Sequence, residues 1–167
     1  MAVLALTLMV SLGVARAGDL EPVTTSLPEV TVDHVLSVIG VPGRSSLSLA
    51  DIERLPLVRF ALEADPAGMD GMYTGVRLAD LLRDLGLDDA PRVILRASDS
   101  YSVLLVPAEE EGLDTVLFAT RFEAEPLAAD GRGPFRLIWT HNAEDVGAGT
   151  ASSAKWIWNI VSIRKAN

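Results

Sequence analysis

The sequence predicts a single α+β domain, strand-rich and built on a mixed sheet, and three observations carry that expectation. The chain has 167 residues, 49% of them hydrophobic, which suits one core rather than two. One stretch, LADLLRDLG, has a clear helical period, whereas the second half is a series of short apolar or alternating runs parted by turn residues. Strands and short helices do not alternate as βαβ units, and no repeat, coiled coil or low-complexity tract interrupts them.

Taken in order, residues 1–17 (MAVLALTLMVSLGVARA) form an apolar run ending in Ala15-Arg16-Ala17, the small-x-small pattern that signal peptidase accepts. A signal peptide cleaved after Ala17 and a periplasmic product are expected. The run is shorter than the ~20 apolar residues of a spanning helix, although it lacks a Lys or Arg ahead of its apolar stretch. Residues 18–46 form a lead-in and first strand: Gly18 to Pro28 is polar and Pro-punctuated, and Val30 to Ile39 is periodic enough for a strand. The main domain is expected over 47–167. Ser48-Leu49-Ala50-Asp51 reads as a capping box with Asp in place of Glu, opening a helix of about two turns that Pro56 closes. Leu57 to Glu63 reads as a strand and DPAGMDGMYTG as a turn-rich loop. In LADLLRDLG, Leu78, Leu81, Leu82 and Leu85 fall at i, i+3, i+4 and i+7, with Gly86 in the stop position. RVILRA, YSVLLVP, TVLFATR, FRLIW and WIWNIVSIR then read as strands, and Glu109-Glu110-Glu111 as the acidic first turn of a short helix.

Composition excludes several functions. A net charge of −9, from 23 acidic and 14 basic residues, argues against nucleic acid and anionic membrane surfaces as partners. With no cysteine, there are no disulfides, no c-type haem attachment and no thiolate metal site. His34 and His141 stand too far apart in sequence for a ligand-spaced motif. No G-x-S-x-G, glycine-rich phosphate loop or nucleophile–base spacing is present. Five basic residues of the last third (Arg121, Arg132, Arg136, Lys155 and Arg164) are candidates to serve one anionic ligand.

Five segments together, GVRLADLLRDLGL, VILRASDSYSVLLVP, LFATRFEAEPL, GRGPFRLIW and SAKWIWNIVSI, resemble the molybdopterin-binding domain of the sulfite oxidase family, especially its short exported members. The likeness runs from about Leu47 to Arg164 and implies the sulfite oxidase fold. Catalytic members hold molybdenum through a cysteine thiolate in the region matching Phe60 to Gly68, where this chain reads FALEADPAG. The chain also departs at Ala124, where the hairpin usually carries Gly, and at Ser152, where members place Arg. The resemblance therefore implies a reduced pterin or molybdopterin-like ligand without molybdenum, and a sensor that relays pterin occupancy to a membrane-anchored signalling protein. The alternative is a molybdenum-cofactor oxidoreductase with an oxygen ligand from Glu63, Asp65 or Tyr73. A third reading is a ligand-free interaction protein that kept the fold for its surface.

A flat pterin with donors and acceptors along one edge wants an aromatic face and a carboxylate or backbone edge. Trp156 and Trp158, at i and i+2 of an expected strand, would face the same side, with Trp139 on a neighbouring strand. Trp156, Lys155 and Ser153 match the family's S-x-K-W, which places Trp156 against the ligand and Lys155 near a cofactor phosphate. Trp139 and Trp158 serve equally as core or rim. Asp99 either accepts from the amino edge of a pterin or caps a hairpin as an Asx turn. Tyr101 is a pocket ring or a core residue with its hydroxyl satisfied, and Arg132, between Gly131 and Gly133, meets an anion or solvent.

Overall fold

The computed structural model describes residues 18–128 and 132–167, so the expected signal peptide and Gly131 lie outside the described residues. Two sheets form the domain. The first contains β1 (Glu21–Pro22), β4 (Leu57–Leu62), β5 (Gly71–Arg77), β8 (Val116–Phe122) and β10 (Arg136–Trp139) in that order, with β9 (Glu125–Pro126) paired to β8. The second runs β3 (Ser46–Ser48), β2 (Val35–Ile39), β11 (Ile160–Ala166), β6 (Arg92–Ala97) and β7 (Ser102–Leu105). β11 is parallel to β2 and antiparallel to β6, so this sheet is mixed, as expected. Because β2 lies inside it, the segment before residue 47 is integral to the domain. One buried cluster takes side chains from both sheets and from α2 (Leu78–Asp84).

The local signals explain the helices. At α1 (Leu49–Ile52) the capping box is present: Asp51 N–H donates to Ser48 Oγ at 3.1 Å and Ser48 N–H to Asp51 Oδ2 at 3.0 Å. The helix is a single turn, shorter than expected. α2 buries Leu78, Leu81, Leu82 and Leu85, each burial worth about 1.5–3 kcal/mol. It ends in a Schellman motif, with Gly86 left-handed at φ 64°, Leu87 N–H on Leu82 O at 2.8 Å and Gly86 N–H on Arg83 O at 3.0 Å.

Three expectations need correction. DPAGMDGMYTG is not a loop throughout, since its second half is β5. Gly75 is a strand glycine there because a Cβ would sit 2.1 Å from Phe118 O on β8, so it permits backbone approach rather than a turn. Glu109 and Glu111 lie in turns, with Glu110 between them in irregular backbone, and not at a helix start. The final strand begins at Ile160, not Trp156: Trp156 N–H turns back to Ser153 O at 2.8 Å, and Asn159 is left-handed at φ 53°.

The hairpin β8–β9 turns through Glu123 and Ala124, both at positive φ (49° and 68°), which accounts for the glycine expected at the second position. Arg121 anchors this corner. Its Nε and Nη2 reach Glu53 at 2.8 and 2.7 Å, and Nη1 reaches Pro28 O and Ala124 O at 2.9 and 3.0 Å. Hydrogen bonds donated to Glu53 in the first place, and the charge of that carboxylate, raise the pKa of this guanidinium against the opposing effect of burial.

Candidate functional site

Hydrogen bonds tie together four connections of the fold: the β4–β5 loop, the β6–β7 turn, the segment before β10 and the segment before β11. At their centre is Arg136, the first residue of β10 and fully buried. Its Nη1 and Nη2 donate to the two oxygens of Asp65, each at 2.7 Å, and Nη1 also donates to Tyr73 Oη at 2.7 Å. Tyr73 donates its own hydroxyl to Met69 O at 3.0 Å. The guanidinium carbon lies 5.1 Å from the Tyr73 ring centre and 5.9 Å from each of Trp156 and Trp158. Its Nε has no partner among the described residues.

Burial alone would push the Asp65 carboxyl up. The Arg136 hydrogen bonds, the Ala67 N–H at 3.0 Å and the Arg136 charge outweigh it and hold Asp65 below the ordinary carboxylate range. Burial pushes the Tyr73 phenol up, against the charge of Arg136.

Two clefts share Ala154 and Trp156 as a common wall. The first, of about 280 Å³, is lined by Asp99, Tyr101, Ser153, Trp156 and Trp158. Asp99 Oδ1 accepts from Tyr101 N–H at 2.9 Å in an Asx turn, and its Oδ2 has no partner among the described residues. Tyr101, 49% exposed, donates its hydroxyl to Ala154 O at 2.7 Å. The second cleft, of about 460 Å³, is lined by Glu110, Trp139, His141, Asn142, Lys155 and Trp156. Lys155 Nζ is paired with both oxygens of Glu110 at 2.6 and 2.7 Å and lies 5.0 Å from the Trp139 ring centre. Trp139 Nε1 donates to Lys155 O at 3.1 Å.

Of the residues singled out in the sequence, the fold brings Asp99, Tyr101, Ser153, Trp156 and Trp158 to the first cleft, and Trp139 and Lys155 to the second. The three tryptophans thus do not make one aromatic face. Trp156 and Trp158 meet without a strand, around the buried Arg136. Arg132 stacks on Trp158 at 4.5 Å and donates to Ala67 O at 2.6 Å. The five basic residues do not converge on one anion: Arg121, Arg136 and Lys155 are held by carboxylates, and Arg164 is exposed on another sheet. The sequence reading missed Arg136 as the counter-ion of Asp65. Its signal was an arginine inside the apolar run FRLIW, since a charge on a buried strand needs a partner.

The sequence profile described as the oxidoreductase molybdopterin binding domain matches residues 24–167. The chain belongs to that family. Among solved structures it is similar to the sulfane dehydrogenase SoxCD from Paracoccus pantotrophus, with a TM-score of 0.53 and 16% identity, over 78% of this chain and 37% of that one. The shared fold is of the sulfite oxidase type, and this chain spans little more than a third of that structure. No curated protein matches it.

Membership of the molybdopterin-binding family implies a pterin-type cofactor, and the donors present can be tested against its two parts. For the metal they do not fit. The chain has no thiolate, both oxygens of Asp65 are taken by Arg136, and Tyr73 Oη is bonded twice. Glu63 is exposed in a separate cleft, and no group of three His, Asp or Glu among the described residues is placed to hold an ion. For a pterin ring they do fit. Trp156 is 3% exposed, lines both clefts, and its Nε1 is a buried donor without an acceptor among the described residues, the kind of group a ligand carbonyl satisfies.

Proposed function

We propose that the domain is a periplasmic pterin-binding module that reports pterin occupancy to a membrane-anchored signalling protein and carries out no redox chemistry. The observation that carries this reading is the first cleft. It offers the Trp156 and Trp158 indoles as wall and the unengaged Oδ2 of Asp99 as an acceptor for a ring N–H. At about 280 Å³ it stands at the small end of ligand pockets, a size suited to a flat bicyclic ring. Stacking of such a ring on indole adds about 1 kcal/mol beyond area burial.

Support for binding without molybdenum comes from the donor chemistry, in which a buried ion pair and not a metal ligand follows β4. The chain's own residues bind and orient the ring. Arg136 holds Asp65 and Tyr73 in place behind the two indoles, and Tyr101 ties the β6–β7 turn to Ala154. Support for export comes from the apolar run that ends Ala15-Arg16-Ala17.

Calorimetric titration with a tetrahydropterin tests the reading: the wild-type chain binds, and Asp99→Asn weakens binding. Elemental analysis of protein made in a molybdenum-sufficient host should find no stoichiometric metal. Absence of binding by the wild type refutes the pterin reading. A near-equimolar molybdenum signal together with reductase activity favours the oxidoreductase instead.

A further inference from the structure

The cations of this acidic chain are distributed unevenly. Arg44, Arg54, Arg59, Arg83, Arg121, Arg136 and Lys155 each have a carboxylate partner. Among the described residues Arg77, Arg92, Arg96, Arg132, Arg164 and Lys165 have none, although acidic residues outnumber basic ones by 23 to 14, and Arg92, Arg96 and Arg164 form a group. All three lie on the second sheet, and its register places them on one face. Ser162 on β11 faces Ser37 on β2 and Arg96 on β6, and Arg164 faces Ile39 and Ile94. Ile94 in turn faces Leu104 on β7, and Arg92 stands opposite Ala166. The alternate positions Leu36, Val38, Leu95 and Ile163 are buried, so these residues form the outer face.

On that face Ile39 and Leu104 are 48% and 51% exposed. Arg96 bonds only Ser100 Oγ, Arg92 only Asn167 O, and Arg164 has no partner among the described residues. No Asp or Glu stands at an outward position of any of the five strands. Val35, Ile39, Ile94 and Leu104 stand there among three arginines and five serines, without Lys, Asp or Glu; the arginines and the lack of Lys, Asp and Glu are features shared with protein interfaces.

We infer that the outer face of the β3-β2-β11-β6-β7 sheet docks a protein partner that presents carboxylates beside apolar side chains. This deepens the reading above by naming the surface on which the signalling partner sits, and it rests on that reading's relay half, not on the pterin. Charge complementarity selects the occupant. A second copy docked face to face by a two-fold axis would set guanidinium against guanidinium. With a screening length of roughly 8 Å, any docked surface meets the local arginines and not the net charge of the chain, so an anionic bilayer is separated from a protein by the vesicle arm of the test.

The test is photo-crosslinking in cells of the producing organism, using the full chain with benzoylphenylalanine at Leu104, at Ile39 or, as a control away from the face, at Asp88. Adducts are identified by mass spectrometry. The inference expects one protein adduct from Leu104 and Ile39 but not from Asp88, joined at a segment that carries Asp or Glu beside apolar residues. Arg96→Glu with Arg164→Glu should reduce it at least tenfold at an unchanged melting temperature, and reversing the partner's carboxylates to Lys should restore it. Should the doubly reversed chain fail to fold, Arg96→Gln with Arg164→Gln takes its place. An adduct of twice the chain mass, flotation of the purified chain with phosphatidylglycerol vesicles, an adduct indifferent to the arginines, or no adduct overturns the inference. Tetrahydropterin titration of the Arg164→Glu single variant separates the two proposals, because Arg164 lies on β11 away from the first cleft and pterin binding survives its reversal.

Discussion

Replacing Asp65 with Ala removes one partner of a pair that is fully buried on both sides. The change takes away two charge-assisted bonds of 2.7 Å and leaves the Arg136 guanidinium with Tyr73 Oη as its sole remaining acceptor. Breaking a buried pair in this way costs about 3–5 kcal/mol, because a desolvated charge is left uncompensated. For a domain of this size each kcal/mol moves the melting temperature by about 2–4 °C. A fall of roughly 6–20 °C is therefore expected, read by calorimetry or by circular dichroism. Asp65→Leu combined with Arg136→Leu should recover most of that loss, since an apolar replacement of a buried pair is often neutral or stabilising. An Asp65→Ala protein within about 1 kcal/mol of wild type, or a double variant no better than the single one, would refute the account of this site.

The same carboxylate gives a pH dependence. Its pKa is depressed in the folded state, so its contribution is fully present above the unfolded value near 4 and is lost as pH falls through the folded value. Urea midpoints should drop more steeply below about pH 4 for wild type than for the double-leucine variant. Ala124→Gly should stabilise by about 0.5–1 kcal/mol, because an L-residue at φ 68° carries left-handed strain that glycine does not; a lower melting temperature would contradict the turn geometry. Trp158→Ala should weaken tetrahydropterin binding about fivefold or more with a modest loss of stability. Trp156→Ala, at a residue 3% exposed, should cost about 3–5 kcal/mol of stability as well. Equal affinities for wild type and Trp158→Ala would remove that ring from the pocket.

The residues that announced themselves in the sequence did so through short-range periodicity. The Leu78–Leu85 face, the Gly86 stop, the Ser48–Asp51 box and most strands were legible because each follows from neighbours three or four positions apart or from alternation. β5 was not, since three glycines resemble turn signals until the approach of Phe118 O to Gly75 is known. Nor was the stretch from Trp156 to Asn159, where bonds to distant segments, such as Leu137 N–H of β10 on Ile157 O at 2.8 Å, override a continuous-strand pattern.

By itself, then, the sequence determined the strand-rich α+β class, the family likeness and the absence of any thiolate, because these depend on residue types and their local order. Only the tertiary structure decided the pairings: Asp65 with Arg136 across 71 positions, Lys155 with Glu110 across 45, and the separation of Trp139 from Trp156 and Trp158 into adjoining clefts. It also decided that Arg92, Arg96 and Arg164 share one outward face. The physical reason is common to all of these. The charge of a residue is fixed by its type, but whether that charge is buried, paired or left facing solvent depends on which distant strand lies beside it, and only strand pairing sets that register.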